Sequence, residues 1–232
     1  MKYTYLWINF LTVVVPLLFS FHPKFRFNLY FKAFLKANLT VSFLFISWDI
    51  FFTKLEVWGF NPSYLTGIYL IILPIEEVLF FICIPFACVF SYYCLNTLFS
   101  IYWNQKTENI FIPFASGILL FIGLLYISKI YTSITCISLS LILLILKYKF
   151  KSNWLGQLII IYPLLLIPFF LVNGVLTGSF IEEPIVWYNP DEIIGIRLFT
   201  IPLEDVFYGF ELILLNVFFF EKFKVSINVQ NQ

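Results

Sequence analysis

The chain has 232 residues, of which 61% are hydrophobic, 22% are aromatic and only 12% are charged, and its net charge is +1. Soluble domains carry about 25% charged residues, so this composition excludes a water-soluble globule and predicts an all-α integral membrane protein. The near-neutral charge gives no sign of a nucleic-acid partner. Four scattered cysteines and one histidine predict packing thiols rather than a metal site.

Seven apolar runs are long enough to cross a bilayer, for which a helix needs about 20 residues. We interpret the first run as a membrane span rather than a signal peptide, because no small-residue cleavage site follows it. The predicted spans lie near 3–21, 33–53, 75–98, 112–130, 131–147, 155–178 and 202–221. The sequence therefore predicts a bundle of about seven transmembrane helices.

Basic residues are distributed unequally over the loops between these spans. Ten of the 14 fall on the side of the first, third and fifth loops and the C-terminus, and four fall on the other side. Cytoplasmic loops are rich in Lys and Arg. This rule predicts a multi-pass protein of the cell membrane with its N-terminus outside and its C-terminus in the cytoplasm.

A shift of 128 positions aligns the second half of the chain with the first. The stretches "NPSYLTGIYLIILPIEEVLF" from Asn61 and "NPDEIIGIRLFTIPLEDVFY" from Asn189 share the pattern N-P-x4-G-x6-P-[IL]-E-[ED]-V-x-[FY]. We interpret the chain as two three-helix repeats, 1–100 and 131–232, joined by a linking helix at 101–130. Three spans reverse direction and the linking span restores it. The repeats are therefore expected to run parallel, about an approximate two-fold axis along the membrane normal.

Each repeat places two adjacent acids at the start of its third span, Glu76 and Glu77 in "PIEEV" and Glu204 and Asp205 in "PLEDV". Ionisable residues at membrane depth are costly and indicate function by default. One acid in the first turn of a helix is ordinary, since it interacts well with the helix dipole. Two adjacent acids in both repeats exceed that need, so we predict a function for the paired carboxyl groups. Neighbouring residues of a helix point about 100° apart, so one acid of each pair can face the site while the other faces an adjacent helix.

Aromatic side chains accompany the acids. Phe80 lies four residues beyond Glu76, and Tyr208 lies four residues beyond Glu204, on the same helical face. A buried carboxylic acid has a raised pKa and can protonate an alkene, aromatic rings can stabilise the resulting cation, and a carboxylate can remove a proton. Both rings are therefore predicted to bind substrate, with helix packing as the equal alternative.

Three further polar residues are candidates for the same site. Asp49 and Asn173 lie deep in the second span of each repeat, where they either line the substrate cavity or hydrogen-bond between helices. Arg197, five residues before Pro202, is a candidate partner for the acids. At the repeat offset it falls on Tyr69, so the arginine is not duplicated and the two halves are expected to differ.

At these residues the chain resembles the membrane lycopene cyclase domain in its tandem fused form. The resemblance is carried over both repeats by "LPIEEVLFF", "VNGVLTG", "WYNPDEIIGIR" and "IPLEDVFYGFELILLN". It implies a redox-neutral β-cyclisation of the ψ ends of lycopene, giving γ-carotene and then β-carotene. It also implies catalytic roles for the four acids. Asn173 and Arg197 fall at positions of other sequence motifs of that family. The implied partners are lycopene, membrane lipid and other enzymes of the carotenoid pathway.

Several alternatives stay open at the level of the sequence. A nucleotide cofactor is not expected, because the chain has no G-x-G-x-x-G loop. A 3+1+3 arrangement also occurs in small SWEET-type transporters, although acids at one end of apolar spans suit a hydrated solute poorly. An assembly subunit without activity, or a cyclase for C50 carotenoids or ε-rings, is also compatible. The sequence leaves open which acid donates the proton and whether one cavity serves both ends of lycopene.

Overall fold

The computed structural model describes residues 2–99 and 101–230, with side chains described up to Lys224. The α-helices of this part are α1 (Thr4–Ser20), α2 (Phe31–Lys54), α3 (Ile75–Leu98), α4 (Gln105–Leu125), α5 (Ile130–Leu144), α6 (Leu155–Leu176) and α7 (Leu203–Gln230). The short strands are β1 (Trp58–Phe60), β2 (Tyr69–Leu70), β3 (Leu73–Pro74), β4 (Val186–Tyr188), β5 (Arg197–Leu198) and β6 (Ile201–Pro202). A π-helical turn over Ile145–Lys149 extends α5.

These helices confirm the predicted all-α membrane architecture. Five helical runs in the described residues are long and apolar enough to cross a membrane, and they contain α2, α3, α4, α5 and α6. Helix α1 is apolar but shorter, and α7 carries two acids in its first turn. The main difference from the predicted spans is that α4 begins at Gln105 rather than near residue 112. Asn104 caps this helix by accepting the N–H of Lys106 at 2.9 Å.

The predicted internal repeat is confirmed by the backbone. The hairpins β2–β3 and β5–β6 occupy positions exactly one repeat offset of 128 residues apart. Gly67 and Gly195 have φ angles of 87° and 88°, and Ile71 and Phe199 in the hairpin turns have φ angles of 60° and 59°. Left-handed conformations are uncommon for residues with a Cβ atom. Their recurrence at equivalent positions shows that the same local structure is built twice.

An antiparallel strand pair joins the two repeats. The paired residues of β1 and β4 are Trp58 with Tyr188, Gly59 with Trp187, and Phe60 with Val186. A shift of 128 residues turns the first of these pairs into the third and leaves the central pair unchanged. A two-fold axis through the central pair requires this relation. Gly59 is needed here because the indole of Trp187 occupies the space that a Cβ atom would fill. This symmetry agrees with parallel repeats.

The second helix of each repeat packs against the third helix of the other. Helix α2 lies along α7 and α3, while α6 makes sparser contacts with α3 and α7. The linking helix α4 packs along α5, where Gly123 faces Cys136 and the backbone of Ser133. The boundaries of the three segments, 1–100, 101–130 and 131–232, stay a prediction, and Ser100 lies outside the described residues.

Helix α2 is held by side chains that bond an otherwise free carbonyl group. Pro85 in α3 has no N–H to bond the carbonyl of Phe81 four residues earlier. Asn38 and Ser42 of α2 each donate to this carbonyl at 2.9 Å. Asn38 also donates to Oδ1 of Asn216 in α7 at 3.2 Å. Since backbone polar groups in a membrane must be satisfied within the protein, these bonds hold α2 between α3 and α7.

The variant Gly195→Ala is expected to melt at a lower temperature than the wild type in detergent. A left-handed conformation costs a residue with a Cβ atom about 1 kcal/mol. The added Cβ would meet no atom within 4 Å, so the strain lies in the backbone alone. The matched control is Gly117→Ala, which has equally open space inside α4 and is expected to keep or raise the melting temperature. Equal melting temperatures for the two variants would contradict the strain argument.

Candidate active site

A cavity of about 620 Å³ lies between α1, α3, α6 and α7, and we call it the slot. Its lining runs on α3 from Glu77 to Ser91 and on α6 from Tyr162 to Leu176. At 1.5 Å per helical residue, both series extend about 20 Å along the helix axes. Strands β1 and β4 line the end where α3 and α7 begin. The slot is therefore elongated, with carboxyl groups at one end.

Apolar side chains form most of the slot wall. They include Ile8, Leu11, Ile84, Leu165, Phe169, Val172, Leu212 and Ile213. A few polar side chains interrupt this surface, among them Thr12, Ser91 and Asn173. An apolar cavity with a few placed polar groups is typical of a site for a hydrophobic small molecule. Such a wall offers little to a hydrated solute.

Glu77 faces the slot from the first turn of α3. The phenol of Tyr5 in α1 donates to its Oε2 atom at 2.5 Å. Among the described residues, Tyr5 is the one hydrogen-bond donor recorded for this carboxyl group. The Oε1 atom is therefore the oxygen that stays available to a molecule in the slot.

Asp205 is the counterpart of Glu77 from the second repeat and also lines the slot. Tyr131 of α5 donates to its Oδ1 atom at 2.7 Å, and Tyr188 of β4 donates to its Oδ2 atom at 2.9 Å. The two tyrosine rings stack with their centroids 6.0 Å apart. Burial raises the pKa of Tyr188, and the nearby charge of Asp205 raises it further, so this phenol keeps its proton at neutral pH. Both oxygens of Asp205 thus accept hydrogen bonds.

Glu76 and Glu204 are buried but do not line the slot. Oε1 of Glu76 accepts the N–H of Thr66 at 2.6 Å, and Oε1 of Glu204 accepts the N–H of Ile194 at 2.7 Å. The two bonds are equivalent under the repeat, and each ties the first turn of a helix to the preceding loop. Thr132 also donates to Oε1 of Glu204. In each pair, the first acid therefore holds a loop and the second faces the slot.

The aromatic candidates Phe80 and Tyr208 both line the slot. They lie three residues beyond Glu77 and Asp205, so the second acid of each pair shares their helical face. The spacing of four residues in the sequence predicts instead that each ring shares a face with the first acid of its pair. The residues that face the slot together are therefore three positions apart, Glu77 with Phe80 and Asp205 with Tyr208.

A cluster of rings surrounds the acid end of the slot. Tyr208 lies with its ring centroid 6.0 Å from those of Trp58 and Tyr131, and Tyr5 lies 6.3 Å from Phe80. The hydroxyl of Tyr208 is buried without a hydrogen-bond partner in the described residues. The carboxyl groups therefore lie beside aromatic rings at this end of the slot.

The two deep polar candidates take different positions. Asn173 lines the slot, as one of the two expectations had it. Asp49 is not among the lining residues, and its Oδ1 atom accepts the indole N–H of Trp58 at 2.6 Å. Asp49 therefore follows the other expectation, a hydrogen bond that fastens α2 to its neighbours. Its contact with the site is indirect and passes through Trp58.

Arg197 lies on the exposed strand β5 and does not line the slot. Its guanidinium carbon is 5.9 Å from the ring centroid of Tyr188, and its Nη1 atom donates to the carbonyl of Thr200 at 2.6 Å. The structure does not bring it into contact with the four acids. It lies against the ring of Tyr188, whose hydroxyl donates to Asp205.

Three tyrosines that bind the acids were missed by the sequence analysis. Tyr5 and Tyr131 begin the first helix of each repeat, 126 positions apart, close to the repeat offset. Tyr188 immediately precedes the shared N-P motif, where Phe60 is the equivalent residue of the first repeat. A search for aromatic residues near the repeat offset could have found the first two. The missing hydroxyl at Phe60 marks a difference between the two halves.

The variant Glu204→Ala is expected to lower the stability of the fold by about 2 kcal/mol, because it leaves the N–H of Ile194 and the hydroxyl of Thr132 without their acceptor. Thermal unfolding of the purified protein in detergent measures this loss. Glu182→Ala, at an exposed loop position, is the matched control and is expected to melt with the wild type. Wild-type stability of Glu204→Ala would contradict the role of this carboxyl group in holding the loop.

Comparison with known protein families matches both repeats of the chain. A family model described as lycopene cyclase matches residues 2–95 and 128–223. The first matched segment covers α1, α2 and most of α3, and the second covers α5, α6 and most of α7, so each contains one acid pair. No curated protein and no solved structure matched the chain. The matched segments cover most of the sequence, and the chain therefore belongs to the lycopene cyclase family, with two tandem regions of that family in one polypeptide.

Proposed function

We propose that this protein is a lycopene β-cyclase that closes the ψ ends of lycopene to β-rings, giving γ-carotene and then β-carotene. The observation that carries the proposal is the slot, in which two carboxyl groups meet aromatic rings at one end of an apolar cavity. A C40 hydrocarbon dissolves in the bilayer, so an apolar cavity between membrane helices suits it. Membership of the lycopene cyclase family supports the same class of substrate.

Glu77 is the proton donor in this proposal. Tyr5 occupies its Oε2 atom, so the Oε1 atom can carry the proton and present it to the slot. The proton adds to C2 of the terminal C1–C2 double bond of lycopene and leaves a cation at C1. The electrons of the C5–C6 double bond then form the C1–C6 bond and move the cation to C5.

Asp205 is the base that ends the reaction. Its two oxygens accept the hydroxyls of Tyr131 and Tyr188, and acceptance at both oxygens is the pattern of an ionised carboxylate. It removes the proton from C6, and the C5–C6 double bond of the β-ring forms. One proton enters and one leaves, so the ring closure is redox-neutral. A proton then returns from Asp205 to Glu77, which restores the protonated donor and the ionised base.

The rings at the acid end stabilise the cationic intermediates. Phe80 and Tyr208 line the slot beside the acids, and Trp58 lies against Tyr208. A cation over an aromatic face gains about 0.5–2 kcal/mol, and more when water is excluded. Glu76 and Glu204 act as positioning residues, since each holds the loop that precedes its helix. With the C-terminus in the cytoplasm, the acid end lies toward the non-cytoplasmic face of the membrane.

A bacterium that accumulates lycopene is expected to form β-carotene when it expresses the wild-type protein. The variants Glu77→Gln and Asp205→Asn are expected to leave lycopene unchanged, because each removes one proton-transfer group. Pigment extraction and chromatography measure both outcomes, with the protein quantified in the membrane. Glu221→Gln is the matched control, since this acid of α7 pairs with Lys224 and lies outside the slot. Full conversion by both acid variants would overturn the assignment, and unchanged lycopene with the wild type would overturn the proposed function.

The variant Tyr188→Phe is expected to fold, to melt at a somewhat lower temperature because one hydrogen bond to Asp205 is lost, and to form rings about ten times more slowly. Loss of a hydrogen bond to a charged group costs about 1.5 kcal/mol or more, and each 1.4 kcal/mol is about a factor of ten in rate. The phenyl ring keeps the stacking on Tyr131. Initial rates at saturating and limiting lycopene separate kcat from KM. Tyr69→Phe, an exposed tyrosine on β2, is the control and is expected to react at the wild-type rate. A wild-type rate for Tyr188→Phe would contradict its role at Asp205.

A further inference from the structure

We infer that the slot cyclises one end of lycopene at a time, and that γ-carotene leaves the slot and returns with its other end before the second ring forms. This inference rests on the proposed function and adds to it the number of reaction sites. Its first support is the supply of catalytic groups. One ring closure needs one acid and one base. The described residues that line the slot include two carboxyl groups, Glu77 from the first repeat and Asp205 from the second.

The duplication therefore supplies one complete acid–base pair rather than two. Lycopene has two identical ends, and each requires its own proton donor and acceptor. A protein with two repeats could have held one site for each end. Here each repeat contributes half of a shared site, because both acids open into the same cavity.

The second support is that the symmetry-related position is filled. The two-fold axis relates the slot between α1, α3, α6 and α7 to a region between α5, α7, α2 and α3. In that region Phe45 and Trp48 of α2 pack on Tyr208 with ring centroids 5.2 and 5.3 Å apart, and Phe52 packs on Trp58 at 5.0 Å. Phe45 and Phe52 are each 1% exposed. These side chains occupy the space that a second slot would need.

The third support is a sequence difference between the repeats. It accounts for the close packing of α2 in the region where a second slot would lie. Asn38 and Ser42 of α2 bond the carbonyl that Pro85 leaves free in α3. At the repeat offset Pro85 falls on Ile213, which has an N–H of its own and leaves no carbonyl free. Helix α6 begins 124 residues after α2, and at that spacing Asn38 and Ser42 fall on Tyr162 and Leu166. Leu166 has no side-chain donor.

Helix α6 is held to α7 by a different contact. The phenol of Tyr162 donates to the carbonyl of Val206 at 2.5 Å. Two prolines, Pro163 and Pro168, lie inside α6, and Pro168 lines the slot. Tyr162 thus bonds α7 through a long side chain, and α7 has no carbonyl freed by a proline at Ile213 that would draw α6 inward as Pro85 draws α2. The slot is open on the α6 side for this reason.

The length of the slot gives the fourth support. An extended C40 polyene is about as long as the roughly 30 Å hydrocarbon core of a bilayer. The slot extends about 20 Å from the acids, as the helical rise of its lining residues gives. When one ψ end lies at Glu77 and Asp205, the polyene runs along the slot and its other end projects beyond it. The second end can reach the acids only after the molecule has turned round.

An isotope chase in membranes that contain the wild-type protein tests the release of γ-carotene. Carbon-13 lycopene is given first, and an excess of unlabelled γ-carotene is added once the first ring has begun to form. We expect labelled γ-carotene to accumulate beyond the amount of enzyme, and formation of labelled β-carotene to fall in proportion to the added competitor. Undiminished formation of labelled β-carotene, with γ-carotene never exceeding the enzyme, would overturn the inference. Absence of any labelled ring product would instead count against the proposed function.

The variant Tyr188→Phe gives a second test that does not depend on release. With one site, loss of the hydroxyl at Asp205 is expected to slow the step from lycopene to γ-carotene and the step from γ-carotene to β-carotene by the same factor. The two rates are measured separately, with lycopene and with γ-carotene as the substrate. Slowing of one step alone would show that a different site makes the other ring and would overturn the inference.

Discussion

A carboxyl group inside an apolar bundle depends on hydrogen-bond donors for its stability, and this requirement organises the acid end of the protein. An unpaired charge in such surroundings costs several kcal/mol. Adjacent residues of a helix point about 100° apart, so the two acids of each pair have to find different donors. Glu76 and Glu204 take backbone N–H groups of the preceding loops, and Glu77 and Asp205 take phenol hydroxyls. The first acid of each pair thereby fixes the loop that brings the second acid to the slot.

The same rule, applied to the backbone, breaks the symmetry of the duplicated fold. Pro85 leaves one carbonyl of α3 without an intrahelical partner, and a bilayer provides no water to satisfy it. Asn38 and Ser42 of α2 supply the donors and so draw α2 inward. Helix α7 has no proline at the equivalent position, Ile213, and α6 stays further from the bundle. Pro85, Asn38 and Ser42 thus account for the difference between the α2 side of the bundle, which is filled by side chains, and the α6 side, which holds the slot.

A cavity of this kind suits chemistry through a carbocation. The cation has to be formed and discharged before water reaches it, and the wall of the slot is mainly apolar. The strand pair β1–β4 lines the acid end and brings Tyr188 to Asp205. In the proposed reaction, the hydrogen-bonded acids beside aromatic rings would provide positioned charge, and preorganised charge is a main source of electrostatic catalysis in enzymes.

The sequence by itself determined the membrane class, the seven helices, the internal repeat and the acid pairs, because hydropathy and a 128-residue offset are properties of local composition and spacing. It also identified Phe80, Tyr208 and Asn173, which line the slot. Only the tertiary structure decided which acid of each pair faces the slot, because a pair of neighbours on a helix is ambiguous until the bundle forms. It likewise decided that Asp49 and Arg197 stay outside the slot.

The donors to the acids were also decided by the tertiary structure. Tyr5 lies 72 residues from Glu77, and Tyr131 lies 74 residues from Asp205. No local pattern connects residues so far apart, and they meet only because α1 packs on α3 and α5 packs on α7. The difference between the filled and the open side has the same origin. The sequence contains Pro85, Asn38 and Ser42, but only the crossing of α2 over α3 brings their groups within bonding distance.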